Sequence, residues 1–191
     1  MNLSGPSGVK RRIHFPTQAS MEEYVVLVNE QDEEVGVREK LQAHLDGTLH
    51  RAISVFLFND QGELLLQQRH PEKYHSGGLW SNTCCSHPRP GEPVAEAAQR
   101  RLEQEMGVTC DLQRVFGFVY RSKLDLHLYE HEYDHVFVGL FNGTPAPDPT
   151  EVFAWRWATT DALRKDIAEH PDRYTYWFRL VLERVLKNRP F

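Results

Sequence analysis

The chain has 191 residues, of which 40% are hydrophobic and 26% charged, and it carries a net charge of −5. That is the balance of one globular domain able to bury a core without disulfide or metal staples. It offers no global basic field for DNA or an anionic membrane and no apolar run of about 18 residues for a membrane span, so an anionic ligand needs a local cluster of Arg and Lys.

Residues 1–20 contain Lys10, Arg11 and Arg12 but no Asp or Glu, and they lack the apolar core of a secretory signal. An organelle transit peptide is compatible with that composition. A disordered tail is the favoured reading, leaving 21–191 as the single domain. Order is expected to begin with a strand at Tyr24–Val28, ended by the polar stretch Asn29–Glu34. Ile53–Phe58, the turn Asn59–Gly62 and Glu63–Gln68 predict a β-hairpin. Val94, Ala98, Leu102 and Met106 recur every four residues and predict a helix over 92–106, with Gly107 as its stop. Strands are expected at Gln113–Tyr120, Glu132–Phe141 and Phe153–Trp157. Trp177, Phe178, Val181, Leu182, Val185 and Leu186 predict a closing amphipathic helix. Without the regular alternation of a doubly wound sheet, this order predicts an α+β fold, a mixed α/β sandwich whose sheet is packed between helices.

The chemistry-bearing residues fall in three places. Ten histidines are present, and His44, His50, His87 and the segment Glu130-His131-Glu132 stand out. In an extended segment Glu130 and Glu132 share one face while His131 points away. Two adjacent carboxylates stay ionised only with a cation between them, and three imidazoles plus two carboxylates suit a transition metal or Mg²⁺ better than Ca²⁺. A solvated strand edge with scattered surface histidines is the alternative.

The second place is Trp80–Pro88. The cysteines Cys84, Cys85 and Cys110 are odd in number and partly adjacent, which makes a poor disulfide framework and points to a reducing compartment such as the cytoplasm. No second Cys pair exists for a zinc knuckle, so the pair contains either a buried thiol or an acid/base group tuned by a nearby cation. The third place is the helix after Gly91, where Arg101 and Glu105 share a face. They form either a joint site for metal and diphosphate or an ordinary exposed pair.

Ser86, Glu92, Arg100, Arg101, Leu102, Gln104, Glu105, Gly107 and Val108 fall on the frame of the Nudix box, which the chain resembles in edited form. Ser86 replaces a Gly, and Arg101 and Gln104 replace two of the glutamates with which Nudix hydrolases hold Mg²⁺ and activate water. With Ser81-Asn82-Thr83-Cys84-Cys85-Ser86-His87-Pro88, with Glu130-His131-Glu132, and with Lys40, His44, Leu49 and His50, the edited box resembles the type I, flavin-independent isopentenyl-diphosphate isomerases over roughly residues 22–187.

That resemblance implies interconversion of isopentenyl and dimethylallyl diphosphate in isoprenoid biosynthesis. It implies one divalent metal, Mn²⁺, Zn²⁺ or Mg²⁺, on His44, His50, His87, Glu130 and Glu132. It further implies Mg²⁺ with the diphosphate at Glu105, and no flavin. Lys40, Arg69, Lys73 and Arg101 are the implied diphosphate clamp, Cys85 and Glu132 the groups flanking the alkene, Tyr120 the neighbour of the acid, and Trp177 an aromatic face for a positive centre. Spacing to His87 selects Cys85 as the active thiol and leaves Cys84 to packing. The expected partner is a small isoprenyl diphosphate, with no nucleic acid and no membrane, and the chain is expected to be monomeric. A Nudix pyrophosphohydrolase on a nucleoside diphosphate derivative is the runner-up, and a catalytically silent Nudix-like binding module the third reading.

Overall fold

The computed structural model describes residues 24–73, 75–124 and 127–191. The expected tail at 1–20 lies outside them. Among the described residues nine strands join in one curled, mixed sheet. They are β1 (Tyr24–Val28), β2 (Glu34–Glu39), β3 (His50–Phe58), β4 (Leu64–Arg69), β5 (Trp80–Ser81), β6 (Cys84–Ser86), β7 (Gln113–Lys123), β8 (Tyr129–Leu140) and β9 (Val152–Ala158). Four α-helices accompany them among the described residues: α1 (Lys40–Asp46), α2 (Val94–Met106), α3 (Thr160–Glu169) and α4 (Tyr176–Asn188).

The centre of the sheet is β3, which runs parallel to β8 from His50↔Glu132 to Phe58↔Leu140. Successive side chains of a strand point to opposite faces. The odd residues Ile53, Val55 and Leu57 meet Ala97, Ala98, Leu102 and Met106 of α2. The even residues Phe56 and Phe58 meet Leu163 of α3 and Trp177, Phe178, Val181, Leu182 and Val185 of α4. Because both faces are buried, 53–58 reads as an unbroken apolar run instead of an alternating one. The sheet packed between helices is therefore the observed α+β architecture.

The expected hairpin is only partly formed. Asn59–Gly62 does turn the chain, yet β3 and β4 pair at Phe58↔Leu64 and then diverge. The segment from Asn82 to Cys84 wedges between them. Leu57 N–H donates to Thr83 Oγ1 (2.9 Å), Thr83 Oγ1 donates to Leu65 O (2.7 Å), and Asn82 Nδ2 donates to Val55 O (3.1 Å). Side chains thus satisfy backbone groups that a hairpin ladder would have used. This insertion also sets Cys85 opposite Ser54 and Cys84 opposite Val55.

The helix expected over 92–106 begins at Val94, with Pro93 as its N-cap residue. Glu92 stays outside it and takes a two-pronged contact from Arg100 (2.6 and 2.8 Å). Gly107 ends the helix as expected. Its φ is +61°, and a Cβ there would lie 2.4 Å from Ala146 O, so no other residue fits without backbone movement.

On the odd face of β8, His135 is 1% exposed and its Nε2 lies 3.0 Å from Asp32 Oδ2, while Arg51 Nε donates to Asp32 Oδ1 (2.7 Å). Burial lowers the imidazole to about 4 despite the Asp32 carboxylate. Between that value and the ordinary value near 6.5 the unfolded chain binds a proton that the native state refuses. Its contribution is therefore complete above pH ~6.5 and is lost as pH falls, at roughly 1 kcal/mol per pH unit. His135→Gln is expected to flatten the pH dependence of the urea midpoint between pH 4 and 6.5. An unchanged slope counts against a neutral His135.

Candidate active site

The pairing that builds the sheet also builds the site. On the even face, β3 is apolar at its C-terminal half and polar at its start, where His50 and Ser54 lie. Register brings Glu132 beside His50 and Tyr120 beside Glu132. Glu130 and Glu132 are 3% and 7% exposed, so the solvated-edge alternative does not hold. His131 points away, its Nδ1 bonded to Gly47 O (2.9 Å).

His44, buried on α1, and His50 each place Nδ1 against a backbone carbonyl: Lys40 O at 2.7 Å and Thr48 O at 2.8 Å. A carbonyl only accepts, so both rings carry their proton on Nδ1 and turn Nε2 inward. His44 Nε2 lies 3.3 Å from Glu130 Oε2 and His50 Nε2 3.6 Å from Glu132 Oε1, while His87 Nε2 is 2.9 Å from Glu132 Oε1. Burial pushes His44 below its ordinary value and His87 to about 3, so both rings are neutral at pH 7. Burial, reinforced by Glu132, pushes Glu130 well up; burial also opposes charge on Glu132, but contacts from His50 and His87 outweigh it and hold that carboxyl well down.

The donor atoms of His44, His50, His87 and Glu132 lie within 4.8 Å of one another, as do those of His44, His75 and Glu130. His50 Nε2 and Glu130 Oε2 are buried and make no hydrogen bond among the described residues. Neutral imidazole nitrogens and carboxylate oxygens converging without compensating charge fit a divalent transition metal.

Around Cys85 the polar groups are arranged for a thiol that keeps its proton. Its S–H donates to Asn82 Oδ1 (2.9 Å) and its sulfur accepts from Trp177 Nε1 (3.1 Å), with Ser54 Oγ at 3.7 Å. Burial, with Asp134 adding to it, raises the thiol to about 12. Cys84 faces the α2 cluster and is fully buried, in keeping with the packing role. Asp134, which the sequence did not single out, accepts from Ser54 Oγ (2.8 Å), and burial together with Glu132 raises its carboxyl well above the usual range. Tyr120 donates its hydroxyl to Glu132 Oε2 at 2.6 Å.

One cleft of about 630 Å³ joins these groups to the expected clamp: Lys40, Arg69, Lys73 and Arg101 all line it. His44 and His50 lie behind its wall. Burial lowers Lys40, and the neighbouring Arg101 and Lys73 lower it further, so the cations there are crowded and suited to a multiply charged anion. Glu105 is held by Arg101 (2.7 Å) and Gln67 (3.0 Å), which leaves a single carboxylate able to hold Mg²⁺ only together with ligand oxygens. Gln104 is occupied by Arg100 and Arg101 at 3.0 and 3.2 Å. Glu151 also escaped sequence reading. It pairs with Lys73, and Arg101 lies 3.9 Å away, so a carboxylate stands between two members of the clamp. Trp177 is 4% exposed and already bears a cation, with the Arg69 guanidinium 5.4 Å from its ring centre.

This fold and box define a Nudix protein, and the NUDIX domain family model matches residues 48–178. The fold is also that of the DR0079 protein of Deinococcus radiodurans, with a TM-score of 0.70 and 24% identity over 84% of this chain and 98% of that one. The chain is 53% identical over 169 residues to isopentenyl-diphosphate Delta-isomerase 1 of Aromatoleum aromaticum, spanning 88% of this chain and 96% of the relative. It is 51% identical over 165 residues to the isopentenyl-diphosphate Delta-isomerase of Burkholderia multivorans, spanning 86% and 94%. Within the Nudix group the chain belongs to the isopentenyl-diphosphate Delta-isomerase family.

Proposed function

We propose that the cleft interconverts isopentenyl and dimethylallyl diphosphate, with Cys85 and Glu132 as the two proton-carrying groups. The observation that carries this reading is one cleft lined by a proton-holding thiol, a hydrogen-bonded carboxylate and four cationic side chains. Moving the double bond adds a proton at one carbon and removes one from a neighbour, through a tertiary carbocation. Cys85 Sγ and Glu132 Oε2 exchange those two protons, each acting as acid in one direction and base in the other. Tyr120 orients the carboxylate through its hydroxyl. Lys40, Arg69, Lys73 and Arg101 hold the diphosphate, and Trp177 with its buried neighbours keeps water from the cation, an aromatic face being worth roughly 2 kcal/mol to a desolvated positive centre. Bound metal, Mn²⁺, Zn²⁺ or Mg²⁺ on His44, His50, His87, Glu130 and Glu132 and Mg²⁺ beside Glu105, supplies positive charge to the carboxylates and to the diphosphate.

No flavin has a part in this chemistry, since the two proton carriers belong to the chain itself. The enzyme acts as a monomer in the cytoplasm, without nucleic acid or membrane; the net charge of −5 supports the lack of a nucleic-acid or membrane partner, and the cysteine usage a reducing compartment. No helix among the described residues is long and apolar enough to cross a membrane. The hydrolase alternative is disfavoured because Arg101 and Gln104 occupy carboxylate positions of the box. The test is NMR of isopentenyl diphosphate with the Mg²⁺-loaded protein in D₂O and no added flavin. Dimethylallyl diphosphate carrying solvent deuterium is expected. Unchanged substrate with folded, metal-loaded protein sinks the proposal, and release of phosphate transfers it to the hydrolase.

A further inference from the structure

We infer that His75 is a sixth protein ligand to the divalent metal, completing its coordination from the loop that also carries Lys73. The inference rests on the metal reading given above and extends it to a residue that none of the motifs contains. His75 is buried at 8% exposure, and its Nε2 lies 3.5 Å from Glu130 Oε1. Its ring is stacked on His44 (centroids 5.7 Å apart, planes inclined at 28°), and its donor nitrogen shares a 4.8 Å neighbourhood with those of His44 and Glu130.

The loop is built to hold the ring there. Arg69 N–H donates to Leu79 O (3.0 Å) and Gly78 N–H to Arg69 O (3.0 Å), so the loop closes on the end of β4. Arg69 Nη2 reaches back to His75 O at 3.4 Å. A Cβ on Gly77 would lie 2.4 Å from Pro71 O, so the tight return requires glycine. The His75 ring also meets Trp177 edge-on at 6.2 Å.

The two donor groups share His44 and together comprise His44, His50, His75, His87, Glu130 and Glu132. An ion held against His44 could draw on His75 and Glu130 from one side and on His50, His87 and Glu132 from the other. Together these would fill the coordination of a first-row cation. An ion enclosed in this way would keep no position for water or for the alkene, and would serve to neutralise and fix Glu130 and Glu132. The loop then ties metal binding to the placement of Lys73 in the clamp.

The test is X-ray absorption of the full-length protein loaded with one equivalent of Co²⁺, counting imidazoles in wild type, His75→Gln, His75→Ala and His50→Ala. Four imidazoles are expected in wild type and three in each variant, with Co²⁺ affinity against a chelator falling ~10-fold or more in the His75 variants. Gln keeps most of the volume, so His75→Gln reads coordination even if the alanine variant folds poorly. Three imidazoles in wild type, unchanged in His75→Gln but reduced in His50→Ala, would overturn the inference while leaving the metal site standing. Absence of any imidazole ligand in wild type overturns both.

Discussion

Replacing Cys85 with alanine is expected to lower kcat by roughly 10³-fold or more, the scale of losing a positioned proton carrier, while KM changes little. On the proposed reading the thiol faces the reacting carbons and not the diphosphate, since the residues proposed to clamp the diphosphate sit on α1, β4, the following loop and α2. The fold is expected to survive. Trp177 Nε1 retains Ser81 Oγ as an acceptor at 3.1 Å, so the indole stays in place when the sulfur is gone. A serine at this position restores an O–H but not the acidity or reach of a thiol, and so recovers only a minor part of the rate. Burial raises the thiol to about 12, which keeps the protonated form in place across the neutral and mildly alkaline range. No loss of rate from deprotonation of Cys85 is therefore expected up to pH 9. A Cys85→Ala protein with kcat within tenfold of wild type would remove the residue from the chemistry.

The elements read correctly from sequence are those whose packing matches their periodicity. The α2 stripe of Ala98, Leu102 and Met106 faces one core, and the α4 stripe of Trp177, Phe178, Val181 and Val185 faces the other. The helix α1 was not foreseen because its apolar residues point the wrong way for such a reading. Leu41 and Leu45 are 46% and 42% exposed, while Ala43 and His44 are buried. A seven-residue helix that buries a histidine instead of leucine has no hydrophobic signature, although the Glu39 carboxylate capping Leu41 N and Gln42 N is a local signal for its start. The edge strand β2, with Val35 and Val37 exposed, escaped for the same reason. The hairpin was over-read because turn chemistry fixes the reversal at Asn59–Gly62 but not what inserts between the strands afterwards.

The site divides in a similar way. Cys85, His87, Glu130 and Glu132 sit in local motifs whose spacing is visible in one dimension. His75, Asp134 and Glu151 do not: His75 and Glu151 come to line the cleft, and Asp134 to back it through Ser54, only because β3 lies parallel to β8, β4 lies against β9, and the loop after β4 returns on itself. Pairing of strands some eighty residues apart leaves no trace in a single sequence. Asp134 could have been anticipated from the alternation that places it on the same face as Glu130 and Glu132, four and two residues before it.

Glu132→Gln is the second substitution expected to be severe, for a different reason. Glu132 Oε2 accepts the Tyr120 hydroxyl at 2.6 Å, and Oε1 lies 2.9 Å from His87 Nε2. An amide keeps only one accepting oxygen, so it can keep the Tyr120 contact but no longer presents a second carboxylate oxygen beside His87 Nε2. It also carries no exchangeable acid proton at neutral pH and removes one of the two charges that a metal at the adjoining histidines would see. The combined expectation is a loss in kcat of roughly 10³-fold or more together with weakened metal binding. Tyr120→Phe separates these effects. It deletes only a hydrogen bond to a charged group, worth about 1.5–3 kcal/mol, so a ~10- to 100-fold loss in kcat with unchanged metal affinity is expected. Measuring kcat, KM and Co²⁺ affinity side by side distinguishes the roles. If Tyr120→Phe proves as damaging as Glu132→Gln, the phenol and not the carboxylate is the proton carrier on that side of the cleft.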